Sequence, residues 1–187
     1  MDNLNLSKLK ETFKKTLHKT NKTNFLLAVS GGIDSMFMLK IAKLIQNDSN
    51  FSFRAIHINH NLSLNAREME KHCFDICHEY GIDLTIKNIK LSVDKNIEEE
   101  LRNKRYETFI SDMSEDEVLV LAHHENDQFE TFLYRLFRGA SPKGLSSIRE
   151  ISERNKKMIC RPFLQVSKNI IIELSRYFKL KFINDCT

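Results

Sequence analysis

Short apolar segments alternate with helix-like segments along most of the chain, and this alternation constrains the fold more than any other feature. Strands are predicted at residues 25–29, 53–58, 84–89, 118–122, 157–161 and 180–184. Each is short and rich in β-branched or bulky apolar residues, which favours strands. Amphipathic helix patterns lie between them, at residues 36–45, 64–81, 96–113, 126–139 and 167–178. We therefore predict a Rossmann-like α/β fold, with a mainly parallel sheet covered by helices on both faces.

The first 23 residues form a separate, strongly basic segment. Six lysines oppose only Asp2 and Glu11 there, so the segment accounts for the chain's net charge of +4. Leucines and Phe13 recur at roughly helical spacing, which predicts an amphipathic helix with a basic outer face. That face is either solvated surface or a patch for phosphate groups. We expect this helix, within residues 1–23, to pack on one domain formed by residues 24–187.

Composition restricts the compartment in which such a chain works. No stretch of ~18 apolar residues occurs, and the N-terminal residues lack the apolar core of a signal peptide. The four cysteines show neither a zinc pattern nor a CxxC redox pattern. We therefore expect a cytoplasmic protein with reduced thiols and no membrane partner.

Polar clusters follow three of the predicted strands at the point where each strand ends. They are residues 30–35, residues 57–60 and residues 123–127. Because the carboxyl ends of parallel strands meet at one edge of a sheet, these clusters should lie close together. The sequence therefore predicts a ligand site at this edge.

The first cluster, Ser-Gly-Gly-Ile-Asp-Ser at residues 30–35, has the features of a phosphate-binding loop. Gly31 and Gly32 allow backbone angles closed to other residues and a close approach of ligand to main chain. A helix that starts near Asp34 would direct its free N–H groups and positive dipole end at an anion. The alternative is a tight turn in which Asp34 or Ser35 caps the helix. The segment is neither a Walker loop nor a GxGxxG loop.

The order Ser-Gly-Gly-x-Asp-Ser at a strand–helix junction resembles the PP-loop of the N-type ATP pyrophosphatases, of the adenine nucleotide alpha-hydrolase type. Other segments resemble those of tRNA(Ile)-lysidine synthases in the same order along the chain. They are residues 55–63, 99–109, 121–148, 161–164 and 182–187. One departure is Asn126, where many members carry a second aspartate.

The resemblance implies a tRNA-modifying ligase that uses ATP and Mg²⁺. ATP would adenylate the C2 oxygen of the wobble cytidine in an isoleucine tRNA with a CAU anticodon. The ε-amine of free L-lysine would then attack C2 and displace AMP, which yields lysidine. Asp34 would hold Mg²⁺. The implied ATP contacts are Ser30, Gly31, Gly32, Ile33, Asp34, Ser35 and His57.

The catalytic residues implied by the resemblance are Asp34, His123 and Asp127. A protonated lysine amine cannot attack, so a carboxylate must bind it and take its proton, and Asp127 is the candidate. Alternatively, Asp127 caps its helix and Glu130 closes a capping box. His123 would lie near the phosphates, whereas the adjacent His124 would point to the other face of the strand.

Five basic residues are candidates for contact with the tRNA backbone, and each has the alternative of being a solvated surface charge. They are Arg102, Arg105, Arg135, Arg138 and Lys143.

Two other functions remain open. A tRNA thiolase of the same superfamily usually carries CxxC cysteines, which this chain lacks. A nucleotide-binding module without catalysis would not need Asp34, His123 and Asp127 together. The resemblance also allows a homodimer, and it leads us to expect that a C-terminal tRNA-binding domain is absent from this chain.

Overall fold

The computed structural model describes residues 2–60, 65–89, 97–139 and 148–183. Helices and strands alternate through these ranges. The helices are α1 (Asp2–His18), α2 (Ile33–Gln46), α3 (Ala66–Tyr80), α4 (Ile97–Asp112), α5 (Glu125–Phe137) and α6 (Lys168–Tyr177). The strands are β1 (Asn24–Ala28), β2 (Ser52–Asn59), β3 (Leu84–Asn88), β4 (Glu117–Val120), β5 (Ile151–Arg154) and β6 (Lys157–Cys160). In this described part of the chain, none of the helices has the length and apolar character needed to cross a membrane.

The strands form one six-stranded sheet in the order β3-β2-β1-β4-β6-β5. All neighbours pair in parallel except β5 and β6, which pair antiparallel. The predicted mainly parallel α/β fold is therefore confirmed. The chain extends from β1 to β2 and β3 on one side, and then continues with β4 on the other. The strand order thus reverses between β1 and β4, where α/β sheets of this kind bind their ligands.

Apolar side chains of each central strand divide between two cores, one on either face of the sheet. Phe25 and Leu27 of β1 enter a core built with α1, α2, α3 and α6, whereas Leu26 enters a second core with α4. The basic helix α1 contributes Phe13, which is fully buried against Phe163 with the ring centroids 5.2 Å apart. Because the side chains of a strand alternate between faces, a strand with helices on both sides is apolar along most of its length.

Two features of the C-terminal third differ from the predictions. Residues 180–183 are not a strand, so the prediction for residues 180–184 is wrong over the described part. They run instead beside the glycine loop, where the N–H of Ile183 donates to the carbonyl of Gly31 at 3.0 Å. The strand that the sequence analysis missed is β5, a mostly polar strand at the edge of the sheet.

Helix α5 contains no buried residue, and most of its side chains are exposed. Its apolar side chains, which the sequence puts on the side opposite Asp127, are largely in solvent, with Phe129 at 63% and Phe137 at 84% exposure. The helix is anchored at its beginning. Gln128 Nε2 donates to the carbonyl of Leu164 at 2.9 Å, and the N–H of Glu125 donates to the carbonyl of Val166 at 3.0 Å. The first turn of α5 is therefore fixed beside the sheet edge.

Candidate nucleotide site

The loop between β1 and α2 contains two glycines, and only one of them has a backbone conformation that requires glycine. Gly31 has φ +93°, in the region that L side chains rarely adopt. Gly32 has φ −77° and ψ 163°, which any residue tolerates, and it is the N-cap of α2. A Cβ built on Gly32 would meet only Ser30 Oγ, at 3.5 Å. The protein itself thus leaves room for a side chain at Gly32, and the absence of one keeps the main chain open to a ligand.

Two serines fold the loop onto the start of the helix. Ser35 Oγ accepts the N–H of Ser30 at 3.1 Å and donates to the carbonyl of Gly32 at 3.0 Å. The N-cap is therefore neither Asp34 nor Ser35, as the turn alternative supposed, although Ser35 does brace the turn. Ile33 and Asp34 open the helix, where N–H groups have no partner within the helix and favour an anion.

A cavity of about 400 Å³ lies at the carboxyl edge of the sheet beside this loop. The three polar clusters all contribute to it, as the parallel arrangement predicted. Predicted site residues in its wall are Ser30, Asp34, Ser35, His57, Arg105, His123 and Asp127. Gly31, Gly32 and Ile33 are not in the wall but lie between two residues that are, Ser30 and Asp34.

Two carboxylates and a histidine form a row across the gap between β1 and β4. His124 Nε2 lies 3.5 Å from Asp34 Oδ1, and His124 Nδ1 lies 3.5 Å from Asp127 Oδ2. Asp127 Oδ2 also accepts the backbone N–H of His124 at 2.7 Å. Asp127 therefore closes the capping box, the contact that the alternative interpretation gave to Glu130. About a third of the Asp127 side chain stays exposed. The predicted site residues did not include His124, which lies between the two acids.

His57 is buried at the end of β2 with a defined proton position. Its Nδ1 lies 2.9 Å from the carbonyl of Val29, which can only accept, so Nδ1 carries the hydrogen and Nε2 is the acceptor of the neutral ring. Burial lowers the pKa of His57, although this hydrogen bond acts against that effect. His57 is therefore neutral at pH 7.

His123 is also neutral, for a different set of reasons. Burial, and after it the positive charge of Arg161, lowers the pKa of His123 to about 4, although Asp127 acts in the opposite direction. Its Nδ1 is buried without a hydrogen-bond partner among the described residues. Arg161 is itself buried and donates through Nη1 to the carbonyl of Arg149 and to Ser152 Oγ, both at 2.9 Å. His123 can thus offer a ligand one uncharged ring, but no positive charge.

The structure separates the predicted basic residues. Arg105 lines the cavity, and Arg102 is exposed one turn earlier on α4. Arg138, at the end of α5, lies over the ring of Tyr134, with 4.4 Å between Cζ and the ring centroid. Arg135 lies on the same helix outside the cavity wall, and Lys143 lies outside the described residues.

The described cysteines, Cys73, Cys77 and Cys160, are free and buried. Burial raises the pKa of Cys77 and Cys160 to about 12 and raises that of Cys73 further. Thiols of this kind are poor nucleophiles at pH 7. Within residues 2–60, 65–89, 97–139 and 148–183, no three His, Cys, Asp or Glu side chains are arranged to hold a metal ion. A cation at Asp34 would therefore need ligands from its substrate or from water.

The amino-acid sequence matches the PP-loop domain family over residues 5–187. The chain belongs to this family, so the PP-loop assignment made from residues 30–35 is confirmed.

Curated relatives carry the name tRNA(Ile)-lysidine synthase, which confirms the resemblance seen in the later segments. The chain is 42% identical over 173 residues to the protein of Buchnera aphidicola subsp. Schizaphis graminum, and 38% identical over 176 residues to that of Haemophilus influenzae strain PittGG. Both alignments cover 92% of this chain, but 39% and 41% of the respective relatives. The chain thus spans about two fifths of the length of these curated relatives.

Solved structures with low sequence identity share the fold. The U34-tRNA thiolase NcsA from Methanococcus maripaludis, with its [4Fe-4S] cluster, superposes with a TM-score of 0.78 at 18% identity, covering 97% of this chain and 67% of that one. The NH3-dependent NAD synthetase of Campylobacter jejuni superposes with a TM-score of 0.58 at 14% identity, covering 96% and 74%. At such identities the similarity shows the fold alone.

Proposed function

We propose that this chain carries the active site of a tRNA(Ile)-lysidine synthase, which joins L-lysine to C2 of the wobble cytidine in a CAU-anticodon isoleucine tRNA. The observation that carries the proposal is the row formed by Asp34, His124 and Asp127 at the point where the strand order reverses. Two carboxylates suit the two cationic participants of this reaction, Mg²⁺ and the lysine ammonium. The names of the curated relatives support the same reaction.

ATP would bind along the glycine loop, with its phosphates at the start of α2. The open main chain at Gly32 and the helix N-terminus both favour a polyphosphate. Asp34 would hold Mg²⁺, which neutralises charge on the leaving pyrophosphate when bound. Neutral His57 and His123 would contact the nucleotide without adding charge, because burial keeps both rings unprotonated.

Asp127 would bind the lysine ammonium and then take its proton. Its exposed third faces the cavity, and its Oδ2 is oriented by the N–H of His124. A general base must reach the proton that it takes, and an oriented carboxylate with an accessible oxygen is suited to that role. The amine, once neutral, attacks C2 of the adenylated cytidine, the C2–O bond breaks, and AMP leaves with the electron pair.

The tRNA would approach over Arg102, Arg105 and the exposed helix α5. Phe129, Tyr134 and Phe137 are all more than half exposed on α5, and Arg135 and Arg138 accompany them. Aromatic rings beside arginines suit unstacked bases and the backbone of an anticodon loop. We expect Phe137→Ala to weaken tRNA binding by about 1–3 kcal/mol through lost stacking. Filter binding measures this effect, with ATP affinity as the control that should not change.

A homodimer, which the resemblance allows, would use the same exposed face of α5 and compete with tRNA. Sedimentation velocity with and without tRNA therefore distinguishes the two occupants. The proposed reaction belongs in the cytoplasm, where tRNA, ATP and reduced thiols occur together.

The experiment that tests the function is the substitution Asp127→Asn. The amide oxygen of the new side chain can still accept the His124 N–H, so the fold should be kept, whereas lysidine formation should fall by about 10²- to 10⁴-fold because the base is lost. Incorporation of radiolabelled lysine into CAU-anticodon tRNA provides the measurement, and Glu125→Gln, an exposed carboxylate on the same turn, serves as the matched control. Near-native activity of the Asp127→Asn protein would remove Asp127 from the mechanism.

The thiolase alternative has less support in the described residues. Its chemistry needs reactive thiols or a cluster, whereas Cys73, Cys77 and Cys160 are buried with raised pKa values. Consumption of ATP that depends on lysine, rather than on a sulfur donor, separates the two reactions. An inactive nucleotide-binding module would consume no ATP with either co-substrate.

A further inference from the structure

Lys168, at the beginning of α6, reaches the carboxylate that opens the PP-loop helix. Its Nζ forms an ion pair with Oδ1 of Asp34, the oxygen that also lies 3.5 Å from His124 Nε2. The two paired side chains are 26% and 32% exposed, so the pair lies at the mouth of the cavity rather than in bulk solvent. A positive charge is therefore already present where the anionic end of a nucleotide would arrive.

The position of Lys168 is fixed by the elements around it. Asn126 Oδ1 accepts the backbone N–H of Lys168 at 3.4 Å, which links the first turns of α5 and α6. Ile171 and Leu174 are buried beneath the exposed face of α6. Asn126 is the residue at which the sequence departs from the expected aspartate, and this bond gives it a role in positioning Lys168.

Asp34 cannot keep the same contact with Lys168 once a divalent cation binds to it. Mg²⁺ binds carboxylate oxygens at about 2.0–2.1 Å, and an ammonium touching the same oxygen would be repelled. A lysine side chain has a flexible four-carbon stem and three rotatable donors, so it can leave a carboxylate for a nearby phosphate oxygen. His124, in contrast, is held by its own backbone between the two acids.

On the basis of the proposed use of ATP at this site, we propose that Lys168 is a phosphate-binding residue that neutralises Asp34 in the free protein and moves to the β- and γ-phosphates when the nucleotide binds. During adenylation the cytidine C2 oxygen bonds to the α-phosphorus and the bond to the β-phosphate oxygen breaks. Pyrophosphate leaves with that electron pair. The Lys168 ammonium would stabilise the charge that develops on it.

The substitution Lys168→Met keeps the side-chain length and the helix propensity but removes the charge. It tests both parts of the proposal, the binding of phosphate and the pairing with Asp34 in the free protein. Isothermal titration should show ATP and inorganic pyrophosphate binding weakened by at least about tenfold, because a charge-assisted hydrogen bond is lost. AMP binding should stay unchanged, which also reports that the variant is folded. Lys168→Arg should retain most of the pyrophosphate affinity, and Lys43→Met, near the far end of α2, should match the unsubstituted protein.

Binding of Mn²⁺ alone, measured by electron paramagnetic resonance, tests the pairing of Lys168 with Asp34 in the nucleotide-free protein. Lys168→Met should bind Mn²⁺ more tightly than the unsubstituted protein, because Asp34 no longer has a competing cation. Unchanged pyrophosphate affinity, equal losses for AMP and ATP, or unchanged Mn²⁺ affinity would each overturn the proposal. These binding measurements require no tRNA, so a protein that binds ATP through Lys168 but makes no lysidine would refute the proposed function alone.

Discussion

Replacing each loop glycine by alanine in turn should separate folding from ligand binding at the PP-loop. Gly31, at φ +93°, would force an alanine into the left-handed region, which costs about 1–2 kcal/mol. Its new Cβ would lie 3.4 Å from Met69 Cβ, an ordinary contact that adds little. For a domain of this size the loss corresponds to a fall in Tm of about 2–8 °C.

Gly32→Ala should behave differently, because φ −77° is open to alanine and the nearest atom to its Cβ, Ser30 Oγ, is 3.5 Å away. The change removes a favourable N-cap residue, so we expect a stability loss of no more than about 1 kcal/mol. The added methyl group stands where a phosphate would approach the main chain, so ATP affinity should fall by about tenfold or more.

Differential scanning fluorimetry and ATP titration on both variants give the comparison. The expected pattern is that Gly31→Ala loses mainly stability and Gly32→Ala loses mainly affinity. If Gly32→Ala binds ATP like the unsubstituted protein, the loop is only a turn and the phosphate assignment fails. If Gly31→Ala melts no lower than Gly32→Ala, the positive φ of Gly31 does not carry the predicted stability cost.

Two further predictions concern charge and pH. His123 binds its proton more weakly in the folded state than in the unfolded state, so stability should fall by about 1–2 kcal/mol as the pH drops from 7 to 5; urea denaturation measures this, and an equal slope in His123→Gln would contradict it. Arg54 donates to both Glu117 and Asp112, the latter through Nη1 at 2.6 Å, so Arg54→Met should cost about 2–4 kcal/mol by removing the charged partner that the two carboxylates share and leaving them only Ser114 and Lys87. Although burial alone would raise the pKa of Glu117, its hydrogen bonds from Arg54 hold that pKa below its ordinary value, so this stabilisation is present at neutral pH and is lost on acidification below about 4.5. A loss under 1 kcal/mol in Arg54→Met would show that solvent screens the cluster.

The sheet could be predicted from the sequence because its central strands are buried on both faces. Such strands are apolar at most positions, and β1 and β4 are apolar after their first residues, Asn24 and Glu117, so both stand out from the amphipathic helices between them. The edge strand β5 lacks this signal, and the turn to β6 uses Asn155 and Lys156 with positive φ, where glycine would have marked a hairpin. Residues 180–183 show the opposite error, since their apolar side chains resemble a strand although the segment packs against the glycine loop.

The site was predictable to the extent that it follows from topology. Parallel strands bring their carboxyl ends to one edge, so residues 30–35 and 123–127 had to meet if the sheet was right. Which histidine lies between the acids was not predictable, because the alternation rule that gave His123 and His124 opposite directions holds only inside a strand. β4 ends at Val120, and both histidines lie in the segment between β4 and α5, where His124 is the N-cap of α5.

The contact between Lys168 and Asp34 could not be predicted from local sequence patterns. Asp34 lies 134 positions before Lys168 in the chain, and a lysine at the start of an amphipathic helix carries no signal by itself. The contact exists because β4 and β6 are neighbours in the sheet, so the helices that follow them, α5 and α6, begin side by side next to the PP-loop. Once strand order is known, a residue at the first turn of α6 becomes a candidate for the same reason as one at the first turn of α5. The order of strands, rather than any further motif, is therefore the information that a sequence-based account of this site would have needed.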